Sequence, residues 1–141
     1  MSDHSFTNIW LHLIWGTHNR EKTLLQKNFR KNISVYLTQY SNEKGIYMKA
    51  NYVNSDHVHA LITLPTNKTI EEIFQLLKGS SSHWINEKVN YKFRWAKGYS
   101  AFSASKRELD TIISYINSQG DHHRIKSFSE ELKELMKKYN N

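Results

Sequence analysis

The chain has 141 residues and a mass of 16.7 kDa, the usual size of one domain. Lys+Arg 20 against Asp+Glu 13 gives a formal charge of +7, and eight histidines add positive charge below neutral pH. The absence of cysteine excludes a disulfide framework, a thiolate metal site and a thiol nucleophile. No apolar run approaches the roughly 20 residues of a membrane span, and Met1 to Phe6 is too polar for a signal peptide. The expectation is a soluble, cytoplasmic protein with a polyanionic partner and no membrane. A merely solvated basic surface is the plainer alternative. Aromatics (Trp 4, Tyr 8, Phe 6) are numerous enough to fill a core and leave rings for stacking on single-stranded nucleic acid.

One proline, five scattered glycines and no repeat leave nothing that reads as a linker. Phe6 to Thr17 alternates, with Ile9, Leu11, Leu13 and Trp15 on one face and Trp10, His12 and Ile14 on the other, which predicts a strand. Leu25, Phe29, Ile33, Tyr36, Leu37 and Tyr40 have helical spacing within Leu24 to Tyr40. Gly45 opens a second strand, Ile46 to Val53, and the turn Asn54-Ser55-Asp56 leads to a third, His57 to Leu64, ended by Pro65. Thr69-Ile70-Glu71-Glu72 is a capping box for a helix through Ile73, Leu76, Leu77, Trp84 and Ile85. Gly79 and Ser80-Ser81-Ser82 are expected to bend or loosen it.

Tyr99 to Ser103 reads as a fourth strand. Ser105-Lys106-Arg107-Glu108 begins a helix that Gly120 is expected to stop. Ser127-Phe128-Ser129-Glu130 opens a last helix with Leu132, Leu135, Met136 and Tyr139 on one side and Lys133, Lys137 and Lys138 on a solvated face. The order βαββαβ predicts an α+β, ferredoxin-like (RRM-like) antiparallel sheet, with strands one and three central. Helices should cover one face and leave the other open. The whole chain reads as one domain, with a core over about 6–104, a helix over about 106–119 and a C-terminal helix over about 128–139.

His57-Val58-His59 puts two imidazoles on one strand face, because side chains repeat with period two. Val58, Ala60, Ile62 and Leu64 make the other, apolar face, so the histidines are expected on the open side. Two such imidazoles can share a divalent ion, or stand as ordinary half-exposed sheet histidines. Tyr115 and Gln119, four residues apart, share a helix face on the shoulder of the stripe Leu109, Ile112, Ile113 and Ile116. A rim tyrosine is the bland reading of Tyr115. The chemical one is a phenolic nucleophile attacking phosphorus beside an ion held by two nitrogens and the Gln119 amide oxygen. Nothing in the sequence identifies the proton acceptor.

In these residues the chain resembles the single-tyrosine HUH transposases of the smallest bacterial insertion sequences. The match runs from His12 to about Met136. It includes His57-Val58-His59, Trp95 through Gly98-Tyr99 with Phe102 and Ser103, Tyr115-Ile116, Gln119, His122-His123, Arg20 and Lys78. The resemblance implies that His57, His59 and Gln119 bind Mg²⁺ or Mn²⁺ and that Tyr115 is the catalytic nucleophile. It implies cleavage and rejoining of single-stranded DNA at element ends through a 5′-phosphotyrosine, with recognition of subterminal hairpins. It also implies a homodimer whose tyrosine helices can complete one another's sites in trans, nucleoid-associated when acting.

Arg20, Lys78, Arg94, Lys97, Lys106 and Arg107 are candidate phosphate contacts. Trp95 and Tyr99 are candidates for base stacking or for the core. His122 and His123 have no derived role, with packing of the last helix as the default. A non-catalytic or domesticated single-strand-binding module needs none of the four chemical residues. A two-histidine phosphoesterase wants two separate His-x-Thr/Ser motifs, which His57-Val58-His59 does not supply.

Overall fold

The computed structural model describes residues 5–122 and 126–139. Four strands, β1 (Trp10–Gly16), β2 (Met48–Val53), β3 (His57–Thr63) and β4 (Ser100–Ala104), form an antiparallel sheet in the order β2-β3-β1-β4. The α+β, ferredoxin-like plan holds, with β1 and β3 central. Helices α1 (Lys27–Glu43) and α2 (Ile70–Asn86) cover one face. There Leu11, Leu13 and Trp15 of β1 and Val58, Ala60 and Ile62 of β3 meet Ile33, Leu37, Ile73, Phe74, Leu77 and Ile85. Each fully buried aliphatic side chain here contributes about 1.5–3 kcal/mol relative to exposure.

The ends of several elements move inward for identifiable reasons. β1 starts at Trp10 instead of Phe6 because its partner β3 stops at Thr63, and Ile9 is exposed. Thr17 leaves the ladder to bridge Trp95. Leu24 is not helical; it drops into the core while its N–H donates to the Ser55 carbonyl, and α1 runs on to Glu43. Ile46 closes the end of α1 by donating to the Ser41 carbonyl, which delays β2 to Met48.

The Thr69 capping box forms, but the expected bend at Gly79 does not: α2 is continuous. Ser81 donates to the Leu77 carbonyl at 2.6 Å and accepts the Trp95 Nε1–H at 2.9 Å, so the buried hydroxyl is satisfied inside the helix. Gly120 is not a stop either. The tyrosine helix α3 (Leu109–Asn117) ends at Ser118, and Gly120 lies within a short α4 (Gln119–His122). A Cβ on Gly120 would stand 2.9 Å from the Tyr52 hydroxyl, so this glycine serves a close approach.

The largest correction concerns the second sheet face, which is not open. α3 and the last helix, α5 (Phe128–Tyr139), cover it. Leu61, Ile112 and Ile116 form one small apolar cluster, and Ile14, Phe128 and Leu135 form another. Tyr115 touches both. Met136, expected on the apolar side of α5, is exposed, and Glu131 is buried instead. Between the two clusters lies a polar strip.

Candidate active site

β3 delivers His57 and His59 to that strip, both completely buried. Asp56, in the turn before β3, accepts the His57 Nδ1–H at 2.7 Å and so leaves Nε2 facing α5. β1 adds His12, whose Nε2 lies 2.9 Å from His59 Nδ1. The rim of α5 then closes over the imidazoles. The Phe128 ring stacks on His57, with centroids 4.0 Å apart and planes within 7°. Gly16 permits this, since a Cβ there would stand 2.8 Å from the Phe128 ring.

Glu131, one helical turn beyond Phe128, places Oε1 2.9 Å from His57 Nε2 and 3.0 Å from His59 Nε2. Its other oxygen, Oε2, accepts the Tyr115 hydroxyl hydrogen. One carboxylate therefore joins the strand histidines to the helix tyrosine. Gln119 lies beyond the helix break yet keeps its predicted neighbourhood: Nε2 donates to the Tyr115 carbonyl at 3.4 Å. Its Oε1 accepts from Asn54 Nδ2 at 3.3 Å, and that same amide is 3.2 Å from His57 Nε2. His57, His59, Tyr115 and Gln119 thus converge. His123 and the side chain of His122 lie outside the described residues.

The electrostatics follow from burial. Burial and the neighbouring His59 push the His12 pKa down to about 3, so this imidazole is neutral. Burial works against a charged His57 too, but its bonds to Asp56 and Glu131 carry it above the ordinary value. Burial and the bond to Glu131 hold the Tyr115 phenol well above 10, with Gln119 acting in the opposite direction. Tyr115 is a poor nucleophile unless its proton has somewhere to go.

The donor set suits a divalent cation. One nitrogen each from His57 and His59 and one Glu131 oxygen all lie within 4.8 Å of one another. Adjacent ligands of a six-coordinate ion with bonds of about 2.1 Å sit about 3.0 Å apart, which the two imidazole–carboxylate spacings match. The Asp56 carboxylate behind His57 is the outer partner such a ligand ordinarily has.

Comparison with known proteins bears on the same region. Residues 5–119 match the family described as "Transposase IS200 like". This chain belongs to the IS200-like transposase family. The ISDra2 transposase TnpA of Deinococcus radiodurans is 26% identical over 117 residues, covering 78% of this chain and 83% of that protein. A crystal structure of a D. radiodurans protein described as a candidate transposase superposes with a TM-score of 0.67 at 21% identity, over 84% of this chain and 96% of that one. A REP-associated tyrosine transposase bound to a REP hairpin gives 0.62 at 15% identity, over 87% and 74%. The fold is that of the family.

In this transposase the candidate phosphate contacts separate into groups. Arg20, left-handed at φ 56°, reaches α5, where its guanidinium donates to Ser129 and lies 5.5 Å from the Phe128 ring centre. Lys78, Arg94 and Lys97 surround one shallow depression beside α2. Lys78 Nζ donates to the carbonyls of Lys97 at 3.0 Å and Gly98 at 3.3 Å. Lys106 and Arg107 are exposed in the turn before α3, about two helical turns from Tyr115. Trp95 is core; Tyr99 is half-exposed and stacks on Phe74 at 3.8 Å. Sequence reasoning missed Glu131, Asp56, Asn54 and the chemical importance of His12. For Glu131 a signal existed: Phe128, Glu131, Leu135 and Tyr139 follow helical spacing, so a carboxylate sits on the buried stripe.

Proposed function

We propose that this transposase cleaves and rejoins single-stranded DNA at element ends, with Tyr115 as the nucleophile. The carrying observation is the convergence of Tyr115, His57 and His59 on one carboxylate, Glu131, with Gln119 held beside them by the Tyr115 carbonyl and by Asn54. Tyr115 attacks phosphorus, the P–O3′ bond breaks as the phenolic oxygen bonds the 5′-phosphate, and the leaving 3′-oxygen takes a proton from solvent to become a hydroxyl. The phosphodiester energy is conserved, so a later 3′-hydroxyl reverses the step without a nucleotide cofactor. Glu131 Oε2 already accepts the phenolic hydrogen and is the proton acceptor in this reading. His57, His59 and Gln119, with Glu131, would hold Mg²⁺ or Mn²⁺. When bound, such an ion polarises a phosphodiester and offsets the charge that develops on its oxygens.

Because Phe128 and Glu131 lie over the histidines, the strand has to part α5 from the sheet to reach Tyr115. The REP hairpin held by one structural relative supports a hairpin partner. Arg20, Arg94, Lys97, Lys106 and Arg107 are the phosphate contacts of this reading, and Lys78 acts by holding the segment before β4 through the Lys97 and Gly98 carbonyls. An element has two ends and each chain has one Tyr115, so the acting unit is a homodimer. In this chain the tyrosine meets its own histidines, and the short turn before α3 leaves the trans arrangement reachable.

The test uses labelled single-stranded oligonucleotides carrying candidate element ends, Mg²⁺ or Mn²⁺, and a denaturing gel. The expected result is a covalent protein–DNA band that EDTA abolishes and Tyr115→Phe removes. A band that survives Tyr115→Phe assigns the nucleophile elsewhere and sinks the reading.

A further inference from the structure

His12 is an imidazole buried in a central strand, and the chemistry above gives it no task. Its two ring nitrogens are both engaged. Nε2 lies 2.9 Å from His59 Nδ1, and Nδ1 lies 2.9 Å from the Tyr139 hydroxyl at the end of α5. Two ring nitrogens 2.9 Å apart need one donor and one acceptor, so only one of His12 Nε2 and His59 Nδ1 carries a proton. We infer that His12 is a positioning residue, fixing His59 in the tautomer that presents the Nε2 lone pair to a metal ion. The inference rests on the metal-assisted reading of His57 and His59.

The argument is one of hydrogen-bond direction. A His59 that ligates through Nε2 carries its proton on Nδ1, and that N–H points at His12 Nε2. His12 therefore accepts there, its own proton sits on Nδ1, and Nδ1–H donates to the Tyr139 oxygen. Each group keeps one proton, and every bond has one donor and one acceptor. The partners behind the two histidines then differ in kind. His57 is backed by the carboxylate of Asp56 and His59 by a neutral imidazole, itself braced by the C-terminal helix. Such outer partners hold ring orientation, and losing one typically costs about 10–100-fold in metal affinity. A phenylalanine would fill the His12 space as well; only a group with an acceptor can hold the His59 proton.

The experiment titrates Mn²⁺ into DNA-free protein and reads the ion remaining in solution by electron paramagnetic resonance. His12→Phe is expected to weaken binding by about 10–100-fold, and His12→Gln, whose amide oxygen can accept the same proton, to stay within about threefold of wild type. Equal affinity for His12→Phe and wild type overturns the proposal, as does His12→Gln falling as far as His12→Phe. Should His12→Phe not fold, ¹⁵N spectra of histidine-labelled wild type with Mg²⁺ decide it. Protons on Nδ1 of both His59 and His12 support the assignment, and a His12 proton on Nε2 refutes it. Wild-type protein that binds no Mn²⁺ ends both this inference and the metal-assisted reading. Binding that His12→Phe leaves intact ends this inference alone, and the Tyr115→Phe result stands separately.

Discussion

Along β1, Leu11, Leu13 and Trp15 point to one sheet face and His12 and Ile14 to the other, and all five are buried. On the first face the neighbours are chiefly apolar, supplied by α1 and α2 with Leu24, Phe93 and Trp95, and the buried Ser81 hydroxyl is satisfied by Leu77 and Trp95. On the second, two small apolar clusters flank imidazoles whose partners come from the turn before β3, from α3 and from α5. Apolar burial needs only volume and contact, whereas every buried polar group needs a partner with the right geometry. The first face therefore carries stability. The second spends part of its burial on holding reactive groups, and it is completed by the segments farthest along the chain.

The sharpest way to break this contrast is to open a hole in the apolar face. Leu13 is completely buried in the central strand, between Ala60 of β3 and Ala101 of β4. Neither alanine can reach into the space a truncation leaves. Leu13→Ala should cost about 2–5 kcal/mol, read as a lower urea midpoint at unchanged slope. A cost under about 1 kcal/mol would show that this face relaxes around gaps and is not the rigid half.

Legibility in the sequence divides along the same line. Alternation in β1 and β3 and the capping boxes at Thr69 and Ser127 are local signals, and they located the strands, the helices and the apolar face. Strand ends were less legible because they depend on where a partner strand stops, as at Ile9 opposite the end of β3. The bend assigned to Gly79 failed because Ser81 found a partner in Trp95, fourteen residues away. Tyr115 and Gln119 were legible from four-residue spacing, even though the helix breaks between them. Glu131 and Tyr139 were legible only as positions on the buried stripe of the last helix; that Glu131 meets His57 and Tyr139 meets His12 is decided by tertiary contact. The expectation of an open face failed for the same reason: covering it is the work of α3 and α5, through contacts with Leu61 and Ile14.

Acid should expose the cost of the polar face. The His12 pKa is lowered from 6.5 to about 3 by burial, with His59 and Lys138 opposing its charge and Glu131 favouring it. Between those two values the unfolded chain binds a proton that the folded chain refuses, so stability falls as pH falls. His57, raised in the fold, has the opposite sign: its contribution is complete below 6.5 and is lost only as pH rises through its folded value. The acid window thus reports His12 and not His57. In EDTA, melting temperatures of wild type should drop more steeply than those of His12→Gln from pH 6.5 down to about pH 4. Parallel curves would mean that His12 takes up its proton inside the fold.

The smallest effect is expected at Lys78, on the helix that packs against the apolar face. Its ammonium is half-buried, holds the carbonyls of Lys97 and Gly98, and lies 5.8 Å from the centre of the Tyr99 ring. Those contacts fasten the segment entering β4 and leave little of the charge for a phosphate. Arg94 and Lys97, around the same depression, are exposed. Neutralising one true phosphate contact on a single strand should lower the slope of log affinity against log salt by about 0.7. Measured by anisotropy with a hairpin oligonucleotide, Arg94→Ala and Lys97→Ala should each show such a loss. Lys78→Ala should weaken binding about twofold while keeping the slope, because it disturbs the shape of the segment and not the count of released ions. If Lys78→Ala lowers the slope as much as Arg94→Ala does, the lysine leaves its two carbonyls when DNA arrives, and α2 belongs to the binding surface as well as to the core.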